Sequence, residues 1–141
     1  MSIMRFWSST WRRANMKIAI CGSMKFSADM LETKIALEAL GHEVTVPKGV
    51  FMDSENAQLK IEHDYIRHYH GKISEADAIL VLNKTKNGVE NYIGGNTLME
   101  LGFAHVMNKK IYLMHPIPQM GYTDEIIAVE PFVLHGDFSL L

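Results

Sequence analysis

The chain of 141 residues is the size of a single domain, and 48% hydrophobic with 21% charged residues is typical of an ordinary folded protein. A formal net charge of −2 gives no electrostatic reason to expect a nucleic acid polymer or an anionic membrane as partner. The single cysteine excludes an intrachain disulfide, and no apolar run approaches the ~20 residues of a membrane-spanning helix. We therefore expect a cytoplasmic protein with no membrane partner.

The first fifteen residues differ in composition from the rest of the chain. They contain three arginines, both tryptophans and no acidic residue, and Met16 then opens a clean apolar run. A basic targeting arm is one interpretation, but the long apolar core of a secretory signal is missing. We expect residues 1–15 to be a disordered extension or the product of an upstream start codon, and residues 16–141 to form one folded domain.

Apolar periodicity alternates between strand and helix along residues 16–141. In chain order it predicts a strand at 17–22, a helix at 27–40, a strand at 43–47, a helix at 56–75, a strand at 77–82, a helix at 97–108, a strand at 110–114, a short helix at 123–129 and a strand at 131–134. The run at 77–82 is continuously apolar, as in a sheet covered on both faces. This alternation predicts an α/β fold with an open parallel sheet and helices on both faces.

Ligands of such sheets bind beyond the carboxyl ends of the strands, at a topological switch point. The segments expected at that edge are 22–25, 47–49, 83–97 and 115–118. The chain has neither a Walker A loop nor a G-x-G-x-x-G motif, so we expect no nucleotide cofactor bound in the usual ways.

The segment Thr97-Leu-Met-Glu100 places one carboxylate near the start of an otherwise apolar helix. One interpretation is a capping box, with Thr97 as N-cap and Glu100 reaching back to its amide. The other is a catalytic nucleophile, because a helix that is apolar nearly all round is buried and buried carboxylates are uncommon unless paired or functional. A helix N-terminus would also favour the charged form that attacks. The two roles do not exclude each other.

Three motifs resemble the nucleoside 2-deoxyribosyltransferase family and its relatives, the deoxynucleoside 5′-monophosphate N-glycosidases. They are Ile20-Cys-Gly-Ser23, Ala76-Asp77-Ala-Ile-Leu-Val81 and Glu100-Leu-Gly-Phe-Ala104, in comparable order and spacing over most of 16–114. The resemblance implies a flavodoxin-like (Rossmann-like) sheet, a homodimer or higher homo-oligomer, and a small-molecule nucleoside or nucleotide as partner. It also implies that Glu100 attacks the anomeric carbon of a 2-deoxyribosyl group. Asp77 should open its strand away from the ligand edge, so we assign it a structural role.

The chain departs from the family at two acidic positions. Gly94 stands where the family commonly has an Asp six residues before the nucleophile, and Tyr69 stands where it tends to have another. His68 is a candidate replacement, because an imidazole suits proton transfer to a departing base, and Asp64 at i−4 is placed to orient it. The predicted catalytic residues are therefore Glu100, His68 and Tyr69, with a solvated helix face as the alternative for the histidine.

The predicted substrate-binding residues lie on the loops at the same edge. Monophosphate-acting relatives hold their phosphate after the first strand, where this chain has Ser23 and Lys25. The alternative for these two residues is ordinary N-cap chemistry. The loop 84–96 is a candidate lid. Its Tyr92 side chain either contacts the base or ribose of the substrate or only packs within the lid. The full set is Gly22, Ser23, Lys25, Asn91, Tyr92, Gly95, Asn96 and Thr97.

Two other side-chain types receive structural interpretations. His63, His68 and His70 are offset by five and two residues and do not share a helix face, so we expect no metal site. Cys21 falls at the end of a buried strand and is interpreted as a small core residue rather than a nucleophile.

The favoured function is cleavage or transfer of the N-glycosidic bond of a (deoxy)nucleoside or its 5′-monophosphate. Three alternatives stay open: a TIR-like NAD glycohydrolase, a non-catalytic nucleotide-sensing domain of the same fold, and a purely structural or partner-binding domain.

Overall fold

The computed structural model describes residues 15–48 and 56–141, which form a five-stranded, entirely parallel sheet. The strands are β1 (Lys17–Cys21), β2 (Glu43–Thr45), β3 (Ala78–Val81), β4 (Lys110–Leu113) and β5 (Phe132–Val133). Their spatial order is β2-β1-β3-β4-β5, the flavodoxin-like order, in which the direction of winding reverses between β1 and β3. The predicted single α/β domain with a parallel sheet is confirmed.

Helices cover both faces of this sheet. They are α1 (Ser27–Ala39), α2 (Ala57–Glu62), α3 (Tyr65–Glu75), α4 (Gly95–Val106) and α5 (Thr123–Ala128), with short 3-10 turns at Met24–Phe26 and Phe138–Leu140. Alternate strand residues divide the core: Ile18 and Ile20 pack with α1 on one face, while Ala19 and Cys21 pack with α3, α4 and α5 on the other. None of the helices in the described part of the chain is long and apolar enough to cross a membrane.

The central strand β3 and its neighbours position the ligand edge. Ala78, Ile79, Leu80 and Val81 are all fully buried, as the continuous apolar run predicts. At the opposite edge, the Asp77 carboxylate accepts a hydrogen bond of 2.9 Å from the Lys17 amide and so aligns the starts of β3 and β1. The structural role predicted for Asp77 is confirmed.

The predicted helix at 56–75 is wrong in one respect, because it is two helices. Asp64 adopts a left-handed backbone conformation with φ of 49°, which interrupts the helix between α2 and α3. Its carboxylate pairs with Arg67 at 2.8 Å. The apolar spacing runs through both helices, so periodicity alone does not reveal the break. Two other predicted regions, residues 1–14 and the greater part of the loop at 48–55, lie outside the described residues.

Candidate active site

A cavity of about 850 Å³, counting the solvent at its mouth, opens at the carboxyl edge of the sheet. It lies where loops after β1 and β3 diverge at the switch point, which is where ligands of this fold bind. The lining residues are Gly22, Ser23, Met24, Pro47, Lys48, Lys60, Tyr65, Tyr69, Lys86, Tyr92, Gly94, Gly95, Asn96, Thr97 and Glu100.

Glu100 lies in the second turn of α4 with only 5% of its surface exposed. The helix begins earlier than predicted: Gly94 is the N-cap, and its carbonyl accepts a hydrogen bond of 2.9 Å from the Leu98 amide. Thr97 is therefore inside the first turn, and Glu100 is too far along the helix to reach back to an N-cap amide. The capping-box interpretation is wrong, and the burial of this carboxyl has no helix-capping explanation.

The surroundings of Glu100 favour its neutral form. The pKa of the carboxyl is raised from 4.5 to about 8, because the effect of burial outweighs the lowering by the interaction with Cys21 and by the charge of Lys60. The Asn96 amide adds a long contact of 3.5 Å to Oε2. The carboxyl is therefore mainly neutral near pH 7 and ionises as the pH rises through about 8.

Cys21 is the last residue of β1 and is fully buried in the core, as predicted. Its thiol also contacts Glu100: burial raises the pKa of the thiol, and the charge of Glu100 and the hydrogen bond to it raise it further. The thiol thus lies beside the carboxyl and lowers its pKa, a neighbour that the sequence did not indicate. Only the packing of α4 against the end of β1 brings the two together.

Tyr69 lines the cavity from α3 and is 3% exposed. Its hydroxyl donates to the Ile20 carbonyl and lies 3.3 Å from the Thr45 carbonyl, so it ties α3 to the ends of β1 and β2. Burial raises the pKa of the phenol, with the charges of Cys21 and Glu100 adding to the effect. The phenol proton is therefore held by the sheet backbone beside the carboxyl.

His68, the predicted proton donor, lies on the exposed side of α3 and outside the cavity lining. Asp64 pairs with Arg67 at 2.8 Å. The structure thus brings Glu100 and Tyr69 together and leaves the imidazole on the surface.

Most of the predicted substrate-binding residues converge on the cavity. Those that line it are Gly22, Ser23, Tyr92, Gly95, Asn96 and Thr97. Lys25 is exposed and Asn91 adopts a left-handed conformation with φ of 56°, and neither lines the cavity.

Lysines make the cavity wall positive. Lys48, Lys60 and Lys86 line it, whereas Glu100 is the sole carboxyl among the described lining residues. The Lys86 ammonium donates to the Ser23 hydroxyl at 2.9 Å and lies 5.0 Å from the centre of the Tyr92 ring. An ammonium and a hydroxyl side by side are suited to an anionic group such as a phosphate.

Lys86 reaches the cavity because the predicted lid is a hairpin. The amides and carbonyls of Lys86 and Val89 pair at 3.1 and 3.0 Å around an Asn87-Gly88 turn, in which both residues have positive φ. Asn-Gly between short strands is the expected signal for this turn, so the sequence could have placed Lys86 here. An ion pair of 3.1 Å between Lys84 and Asp29 fixes the hairpin to α1.

Comparisons with known proteins support the fold. The chain matches no protein-family model, and it matches no curated protein by sequence. Among solved structures it is similar to the CMP N-glycosidase BcmB from Clostridium botulinum. The two share 16% identity over 84% of this chain and 89% of that one, with a TM-score of 0.50. At this identity the likeness concerns the fold, and function has to be argued from the site.

Proposed function

We propose that this protein cleaves or transfers the N-glycosidic bond of a (deoxy)nucleoside or its 5′-monophosphate, with Glu100 as the nucleophile. The observation that carries the proposal is the buried Glu100 carboxyl in a cavity at the switch point of the sheet, where it is the sole carboxyl among the described lining residues. A buried acid with a strongly raised pKa and no structural task is typical of a catalytic group. The fold likeness to a nucleotide N-glycosidase agrees with this assignment.

The chemistry is a double displacement at the anomeric carbon. An oxygen of ionised Glu100 forms a bond to that carbon while the C–N bond breaks, and the bond's electron pair leaves with the base. The carboxylate also stabilises the oxocarbenium character of the transition state. Water or a second base then displaces the carboxylate, so the configuration is retained, as in retaining glycosidases. Water gives a hydrolase and a second base gives a transferase.

The substrate that fits the cavity wall best is a 5′-monophosphate. Lys86 and Ser23 form a donor pair 2.9 Å apart, and Lys48 and Lys60 bring further positive charge. Charge-assisted hydrogen bonds to a phosphate are stronger than those to a sugar hydroxyl. We therefore propose that the enzyme prefers nucleotides to nucleosides.

The test is release of free base from a panel of nucleosides, 5′-monophosphates and NAD, separated by chromatography. Wild type and Glu100→Gln are compared, with Glu125→Gln, at an exposed position of α5, as the matched control. Base release that depends on Glu100 and is faster with the monophosphate supports the proposal. Equal release by wild type and Glu100→Gln refutes the nucleophile, and nicotinamide release from NAD alone identifies an NAD glycohydrolase.

A nucleotide-sensing domain without turnover is the second candidate. The raised pKa of Glu100 favours it, because a carboxyl that is mainly neutral near pH 7 does not attack. Tight nucleotide binding that survives Glu100→Ala, with no free base formed between pH 7 and 9, identifies this function.

A further inference from the structure

The proposed reaction needs a proton donor for the departing base, and this step rests on the proposed function. A base that leaves with an electron pair is a poor leaving group unless it receives a proton. Glu100 is the proposed nucleophile, and the Tyr69 hydroxyl already donates its proton to the sheet backbone. His68 is exposed and does not line the cavity. Among the residues that the structure describes, this leaves the other groups on the cavity wall as candidate donors.

The Tyr92 side chain lies at the entrance of α4. A Cβ at Gly94 would be 3.0 Å from the Tyr92 hydroxyl oxygen and 3.2 Å from ring atom Cε1, so the phenol occupies the space beside this N-cap. The same helix carries Glu100 six residues after Gly94, and Tyr92, Gly94 and Glu100 all line the cavity. Glycine at position 94 is what leaves room for the ring.

The backbone around Tyr92 holds the ring in place. The Tyr92 amide donates to the Lys84 carbonyl at 3.0 Å, within the hairpin that the ion pair to Asp29 fixes. The hydroxyl of Tyr122 donates to the carbonyl of Ile93, the next residue. A hydroxyl on a side chain held in this way is positioned before the substrate arrives, which a general acid requires.

The Lys86 ammonium lies 5.0 Å from the centre of the Tyr92 ring. A cation near the face of an aromatic ring is attracted to its π electrons, so this contact helps to hold the Tyr92 ring in place.

We propose that Tyr92 is the general acid that protonates the departing base. As the C–N bond breaks, its electron pair goes to the base nitrogen, which takes the proton of the Tyr92 hydroxyl, and a phenolate forms beside Lys86. In the second half of the reaction, the attacking water or incoming base loses a proton to the phenolate. The Glu100 carboxylate then leaves the anomeric carbon, and both groups return to their starting states.

Leaving-group dependence tests this role. Tyr92→Phe is assayed on an unmodified nucleoside 5′-monophosphate and on two activated substrates, the N7-methylguanosine monophosphate and the 4-nitrophenyl glycoside of the same sugar phosphate. The activated groups depart without a proton. We expect Tyr92→Phe to slow base release from the unmodified substrate about a hundredfold or more, and to change release from an activated substrate by no more than about threefold.

Two further variants separate proton donation from structure. Gly94→Ala keeps the hydroxyl but displaces the ring by a few tenths of an ångström, so a smaller loss with the same selectivity is expected. Tyr65→Phe alters another tyrosine of the cavity wall, and its effect is expected to be equal on both substrate classes. Thermal melting of each variant confirms that it is folded.

The outcomes distinguish this role from the reaction itself. If Tyr92→Phe slows release equally from both substrate classes, or from neither, the assignment is overturned. A selective loss of release from the unmodified substrate in Tyr65→Phe alone also overturns it. If wild type releases product from none of the three substrates, the proposed function fails and the proton donor fails with it.

Discussion

Replacing Glu100 by glutamine tests the electrostatics of the cavity without any substrate. Glutamine has nearly the same shape but cannot ionise, so the comparison isolates the cost of a buried charge. Folding raises the pKa of the wild-type carboxyl from 4.5 to about 8. The stability that this shift contributes is complete below about pH 4.5 and is lost as the pH rises through about 8.

The magnitude follows from the shift. At about 1.4 kcal/mol per pKa unit, ionisation of Glu100 lowers the free energy of unfolding by about 4 kcal/mol between about pH 5 and pH 9. For a domain of this size that corresponds to a change in melting temperature on the order of 10 °C. Glu100→Gln does not carry this loss, so its melting temperature should exceed that of wild type increasingly as the pH rises.

The assay is thermal unfolding of both proteins across this pH range, with Glu125→Gln as the control for removing an exposed carboxylate. The control is expected to follow the wild-type curve. If the Glu100→Gln curve is also parallel to wild type, the carboxyl is hydrated rather than desolvated, and the account of the cavity is wrong.

Three further predictions concern the site in action. Base release should rise about tenfold in kcat/KM from pH 7 to pH 9 as Glu100 ionises, and a flat profile would contradict its role as nucleophile. Cys21→Ala should move this profile to higher pH, because the hydrogen bond from the thiol lowers the pKa of the Glu100 carboxyl. Cys21→Ser should restore the profile, and identical profiles in wild type and Cys21→Ala would argue against that bond. Lys86→Met should raise KM for a monophosphate about 10- to 100-fold while barely affecting the nucleoside, and equal effects on both would exclude a phosphate contact.

The fold follows from the sequence where local pattern and burial agree. The apolar run at 77–82 and the alternation of strands with helices indicate a parallel sheet, because a strand that is apolar at successive positions is buried on both faces. The helix break at Asp64 could not be predicted in this way. Its left-handed conformation is a single-residue event inside a continuous apolar spacing, and the neighbouring Arg67 contact becomes visible only in three dimensions.

The candidate site was predictable in its location and in part of its membership. Strand ends and glycine-containing loops mark the edge, and Glu100 stands out because its neighbours are apolar. The helix start was not predictable, since Gly94 and Gly95 are poor helix formers and Thr97 matches a cap pattern. Contacts such as Cys21 with Glu100 join residues far apart in the chain, so no local pattern reports them.

Trapping the glycosyl-enzyme is the most direct test of the central claim that Glu100 attacks the anomeric carbon. Wild type turning over a monophosphate is acid-quenched, digested and analysed by mass spectrometry. In wild type we expect to find the sugar phosphate esterified to Glu100. In Glu100→Gln we expect no adduct and a loss of base release on the order of a thousandfold or more. Base release at the wild-type rate by Glu100→Gln, or an adduct on any other residue, would contradict it.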